Sequence, residues 1–121
     1  MKKISLLPLV LLITNFALCQ AATNIDSLGN HVGEKVTVCN KVYWTKFLEQ
    51  ANKQPTFLNL GAAYPDNPLT VVIFGDDRKN FNQAPEIMYD EKEICVTGEI
   101  KEFKGKPEII VDNPDEIVIK K

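Results

Sequence analysis

The chain has little with which to do covalent chemistry. It holds a single histidine and three cysteines. It has no Cys-x-x-Cys, no His-Glu-x-x-His and no glycine-rich phosphate loop, which excludes the common zinc, metalloprotease and nucleotide-loop signatures. His31 and Ser27 stand four residues apart in a polar segment, with no acidic orienter at a recognisable spacing, so a nucleophile–base pair is not expected and His31 reads as solvent-facing or capping. The acidic pairs Asp76-Asp77, Asp90-Glu91 and Asp115-Glu116 fall in turns, where solvated carboxylates are the ordinary case. The expectation is a protein without catalytic residues, metal or cofactor. Repeats, low-complexity stretches and long charge runs are also missing, as is any second apolar run beyond the one near the N-terminus.

That run is informative. Lys2 and Lys3 precede apolar residues from Ile4 to Leu18, then Cys19-Gln20-Ala21-Ala22, giving a positive start, a short apolar middle and a small-residue exit. Pro8, Thr14 and Asn15 interrupt a stretch already short for a bilayer span. Residues 1–21 are therefore expected to be a signal peptide and residues 22–121 a single domain, exported to the periplasm or secreted, with no transmembrane segment in the mature chain. Cleavage after Cys19 or after Ala21 both satisfy the small-residue rule; lipidation of Cys19 is disfavoured because Leu18 is not small. Of 14 Lys+Arg and 16 Asp+Glu, loss of Lys2 and Lys3 leaves 12 against 16, a mature formal charge of −4. Coating nucleic acid by bulk electrostatics is excluded, so any such role rests on a local patch.

Two cysteines remain, in an oxidising setting where disulfides persist. Lys35-Val-Thr-Val-Cys39-Asn-Lys-Val42 and Glu93-Ile-Cys95-Val-Thr-Gly-Glu-Ile100 are both alternating strand patterns. Each cysteine lies opposite the aliphatic face, so a Cys39–Cys95 bridge forms if the strands are neighbours; two free cysteines on separate strands are the alternative.

Strands are expected at about Lys35–Tyr43, Thr56–Leu60, Leu69–Phe74, Glu93–Ile100 and Pro107–Val111, with a short sixth through Ile117 and Ile119. Ile25–Leu28 suits a turn of helix. Trp44–Pro55 lacks periodicity and reads as a long loop, and Lys101–Lys106 as a hairpin loop turning at Gly105. Arg78–Tyr89 is the expected helix or pair of turns, limited by Pro85. Five strands with a helical element between the third and fourth give the order of an all-β, five-stranded OB-fold Greek-key barrel. A small sandwich would also need alternating strands, but the helix position favours the barrel. In that topology the first and fourth strands pair, which would bring the cysteines together.

His31-Val-Gly-Glu-Lys-Val-Thr-Val-Cys-Asn-Lys-Val42, Thr56-Phe-Leu-Asn-Leu-Gly61, Val71-Val-Ile-Phe74 and Gly98-Glu-Ile-Lys-Glu-Phe-Lys-Gly-Lys-Pro-Glu-Ile-Ile-Val111 resemble small exported bacterial OB-fold proteins of the nucleic-acid-binding type. Asn40 departs from the glycine expected after the cysteine. The resemblance implies fold more strongly than function, since OB barrels bind oligonucleotides, oligosaccharides or proteins.

Two segments interleave rings with lysines: Tyr43-Trp44-Thr45-Lys46-Phe47, with Lys53 behind it, and Lys101-Glu102-Phe103-Lys104-Gly105-Lys106. Stacking on rings with charge neutralised nearby is how single strands are held without sequence readout. With Leu58, Leu60, Val71 and Ile73 pointing inward, Phe57, Asn59, Thr70, Val72 and Phe74 point outward, and Phe57, Val72 and Phe74 should form an exposed platform. The two ring-bearing segments should flank it as loops gathered at one rim. The candidate ligand-binding residues are thus Trp44, Lys46, Lys53, Phe57, Phe74, Lys101, Phe103, Lys104 and Lys106. The expected partner is single-stranded nucleic acid bound by a monomer, with an envelope protein or an oligosaccharide as the alternative.

Overall fold

The computed structural model describes residues 21–121. All of the expected signal peptide but Ala21, Cys19 included, lies outside them. No helix among the described residues is long and apolar enough to cross a membrane.

Valines and isoleucines at every second position set the main ladder. β1 (Lys35–Phe47) and β4 (Glu93–Glu99) pair antiparallel and bury Val36, Val38, Ile94 and Val96 on one side. Cys39 and Cys95 are direct cross-strand partners on the other side and are joined by a disulfide, with Cα atoms 4.0 Å apart. The neighbouring-strand condition is met. Thr37 and Thr97, one step along on the same face, share a 2.8 Å hydroxyl hydrogen bond.

β2 (Thr56–Leu60) and β3 (Leu69–Ile73) continue antiparallel from β1; β6 (Lys106–Ile110) adds parallel to β3; β5 (Lys101–Phe103) and β7 (Ile117–Ile119) form the two edges. The sheet is mixed and seven-stranded, in the order β5-β6-β3-β2-β1-β4-β7, and its ladder is not closed. The expectation of five strands in a closed barrel is corrected on both points. Its fourth strand divides at Ile100, whose backbone exchanges hydrogen bonds with Gly33 and Glu34 beside the start of β1, while β5, directly after it, pairs with β6. The sheet curls barrel-like around Leu58, Leu60, Leu69, Val71, Ile73, Ile94, Ile100 and Ile109, all fully buried.

The loop expected from Trp44 is also corrected: β1 runs on to Phe47, leaving Leu48–Pro55 as the turn. A bulge between Val42 and Trp44 inserts Tyr43, so the inward set changes from even positions to Thr45 and Phe47. The helical element between β3 and β4 is a 3-10 turn, Gly75–Asn80, then α1 (Pro85–Met88), which begins at Pro85, where no backbone donor is needed. Arg78 ties this element to the strands. Its guanidinium stacks 3.6 Å from the Phe47 ring centroid, donates to both Glu86 carboxylate oxygens at 2.7 and 3.0 Å, and reaches the Thr56 hydroxyl. That pairing holds the Glu86 carboxyl below its ordinary pKa. A 3-10 turn at Ile25–Asn30, capped by Asn24 Oδ1 accepting from Asp26 N at 2.8 Å, places Leu28 in the core.

Candidate binding face

Register brings the candidates together on the convex side of β1, β2, β3, β6 and β5. Cross-strand partners share a face, so one transverse row runs Trp44, Asn59, Thr70, Glu108, Lys101. A second runs Lys46, Phe57, Val72, Ile110, and Phe103 pairs with Lys106 beyond the first. Five of the nine predicted residues thus lie on one sheet face beside Trp44: Lys46, Phe57, Lys101, Phe103 and Lys106.

A residue outside the predicted set completes the ring surface. Tyr64, from the β2–β3 loop, stacks on Trp44 with centroids 5.8 Å apart and planes 29° off parallel, and is 68% exposed. Lys106 Nζ lies 5.9 Å from the Tyr64 ring and donates to the Pro65 carbonyl at 2.8 Å, joining the β5–β6 hairpin to this loop. Phe103 stands open at 59%, with Lys104 Nζ 5.4 Å from its ring. Tyr64 had no signal in the sequence beyond a turn-rich setting, because its partner comes from another strand.

The rest of the expected platform does not assemble. Val72 is only 4% exposed and offers no surface, although it faces outward. Phe74 follows β3 and lies instead with Lys53, Gln54, Asp76 and Asp77 around a shallow cavity of about 440 Å³, with Lys53 Nζ 5.6 Å from its ring. β3 and β6 run parallel, so the hairpin turn at Lys104 adjoins the start of β3, while the turn carrying Lys53 adjoins its end. The two ring-bearing segments therefore do not share a rim: Trp44–Phe47 and Lys101–Phe103 are both strand rather than loop, and the turns lie at opposite ends of the face.

Charge is unevenly distributed. The rows of the face carry Lys46, Lys101 and Lys106 against the carboxylate of Glu108, and at the margins stand Lys104 and the exposed carboxylates of Glu102 and Asp66. Glu93 and Glu99 lie on β4 in register with Lys41 and Lys35. Asp112, Asp115 and Glu116 gather before β7, where burial raises the Glu116 pKa. Half-burial likewise raises that of Glu108, with Lys101 opposing.

No protein-family model and no curated protein matches the chain. Among solved structures it is similar to an OBody bound to hen egg-white lysozyme, with 14% identity and a TM-score of 0.52 over 84% of this chain and 93% of that one. It is similar also to a chain described as an aspartyl-tRNA synthetase from Leishmania major Friedlin, with 12% identity and a TM-score of 0.54 over 88% of this chain and 22% of that one. A third likeness, to asparaginyl-tRNA synthetase from Pyrococcus horikoshii, has 16% identity and a TM-score of 0.48 over 75% of this chain and 20% of that one. The chain spans about a fifth of the length of these synthetases. The first two likenesses are of fold, and they support the OB type. They say nothing of what the face holds.

Proposed function

We propose that the protein is a non-enzymatic OB-type module that holds single-stranded nucleic acid, weakly and with little demand on sequence, across the outer face of β1, β2, β3, β6 and β5. The observation that carries this is the Trp44–Tyr64 stack set among Lys46, Lys101, Lys104 and Lys106 in a chain that is acidic overall. Flat rings accept bases of any identity at roughly 1–3 kcal/mol each, and lysines neutralise the phosphates between them. The Cys39–Cys95 disulfide fits the oxidising compartment that the expected signal peptide implies.

Fluorescence anisotropy of a labelled oligonucleotide tests the proposal. Three or four neutralised phosphates give a slope of log K against log salt of about −2 to −3 for a single strand. Binding should be lost in the Trp44→Ala, Lys104→Ala double variant; no binding at low salt would remove the reading. The alternative is an envelope protein or oligosaccharide on the same rings, for which the lysozyme-bound OBody of similar fold is the supporting observation in the protein case. Salt-insensitive capture of such a partner would favour it.

A further inference from the structure

The ladder ends in two edges of different character. β5 carries Lys101, Glu102 and Phe103, all exposed, with Lys104 and Lys106 just beyond, so a second copy laid along it would meet an excess of like charge. β7 is apolar through Ile117, Val118 and Ile119, and among the described residues no strand covers its far side. Lys120 N donates to the Glu93 carbonyl at 2.9 Å, so the backbone of residues 118 and 120 faces β4 and that of Ile117 and Ile119 faces outward. The Ile117 N–H is taken by the Pro114 carbonyl, which leaves the Ile119 N–H and both isoleucine carbonyls open along the edge. Val118 is 59% exposed on the outer side, in register with Cys95. Ile117 and Ile119 border an open cavity of about 400 Å³ with Met88, Tyr89 and Pro114.

The residues along this edge are their own complement. Asp115-Glu116-Ile117-Val118-Ile119-Lys120-Lys121, turned antiparallel about Val118, sets Val118 against Val118, Ile117 against Ile119, Glu116 against Lys120 and Asp115 against Lys121. We propose that β7 pairs edge to edge with β7 of a second copy of this chain, making a two-fold dimer whose sheet runs on through both molecules. Such an interface is isologous. Each Ile119 N–H donates to the Ile117 carbonyl of the other copy, and the two Val118 side chains meet across a close, non-hydrogen-bonded pair. One copy's Ile119 stands beside the other's Ile117 at the cavity. None of the four charged residues has an ion pair among the described residues. Lysines ordinarily blunt an edge, but here each is brought opposite a carboxylate. Glu116 in particular is half-buried beside Asp112, and the second copy's Lys120 brings it a cation. Three residues a side make a small contact, below the roughly 1,200 Å² of a standard interface, so the dimer is weak and concentration-dependent. The rows of the ring-and-lysine face end at β1, with β4 between β1 and β7, so the proposal is independent of what binds that face.

Sedimentation velocity from about 10 µM to about 1 mM protein reads the association, with half-dimerisation expected near about 100 µM. Val118→Lys sets like charges directly opposite and should weaken dimerisation by about tenfold or more. Glu116→Lys alone and Lys120→Glu alone should each be monomeric where the wild type is half dimeric. An equimolar mixture of those two variants, in which every lysine at these positions again faces a glutamate, should dimerise as the wild type does. Val118 and Lys120 are exposed, so their variants should keep the wild-type unfolding transition. A monomer at every concentration, as expected from the sequence, overturns the proposal. So does a dimer that Val118→Lys leaves intact, which would place the interface elsewhere, or a mixture no more associated than its components.

Discussion

Reducing the Cys39–Cys95 bridge tests the fold most directly, because the perturbation leaves the sequence unchanged. The bridge closes a loop with a sequence separation of 56. On the chain-entropy relation, crosslinking a loop of that length removes about 14 cal/mol/K from the unfolded ensemble, or about 4 kcal/mol at 25 °C. The native side should change little, since hydrogen bonds and the buried Val38 and Val96 already hold β1 to β4 in register around the cysteines. Urea unfolding of oxidised and reduced protein, followed by Trp44 fluorescence, reads the difference. With a slope of about 1–3 kcal/mol/M, the midpoint should fall by roughly 1.5–4 M, and the reduced form should still give a cooperative transition. A loss below about 1 kcal/mol would refute the reasoning: either the unfolded chain is already constrained there, or the bridge strains the ladder it spans.

Other outcomes follow from particular contacts. Arg78→Ala strips the cation from Phe47 and leaves the half-buried Glu86 carboxylate unpaired, and should cost about 2 kcal/mol in chemical denaturation. The folded Glu86 pKa lies below its unfolded value of 4.5, so its contribution is present above that pH and lost as pH falls through the folded value. The stability difference between wild type and Glu86→Gln should therefore shrink on acidification from pH 5. Glu108 has the opposite sign: its folded pKa is raised, so Glu108→Gln should stabilise at pH 7, and the gain should vanish as pH falls below the unfolded value of 4.5. Gly98→Ala would place a Cβ 2.5 Å from Cγ2 of the fully buried Ile109, and should destabilise by about 1–3 kcal/mol in thermal unfolding.

The β1–β4 ladder was legible because its aliphatic residues recur at every second position, broken only by Asn40 and Gly98, and the cysteine pairing because both thiols share a parity. The extension of β1 was not, since the Tyr43 bulge reverses the inward set at mid-strand and Trp44–Phe47 loses its two-residue period. β5 escaped notice because Lys101, Glu102 and Phe103 are all exposed on an edge, where charged residues discourage further pairing and no apolar face is needed. At the face, single residues could be chosen from ring and lysine content. Tyr64 owes its place on the face to Trp44 on another strand, and register between distant segments is not written in either segment alone. The burial of Val72, although it points outward, shows the same limit.

The parallel contact between β3 and β6 also bears on when the face comes into being. β1, β2 and β3 form a local meander, but Thr70 meets Glu108 only after more than thirty intervening residues have been positioned. A chain still leaving the ribosome would carry Trp44 and Tyr64 without the lysines of the last hairpin. On the nucleic-acid reading proposed above, affinity for a charged strand would arrive late, as a signature of completed synthesis, and half-made molecules would be poor competitors for it.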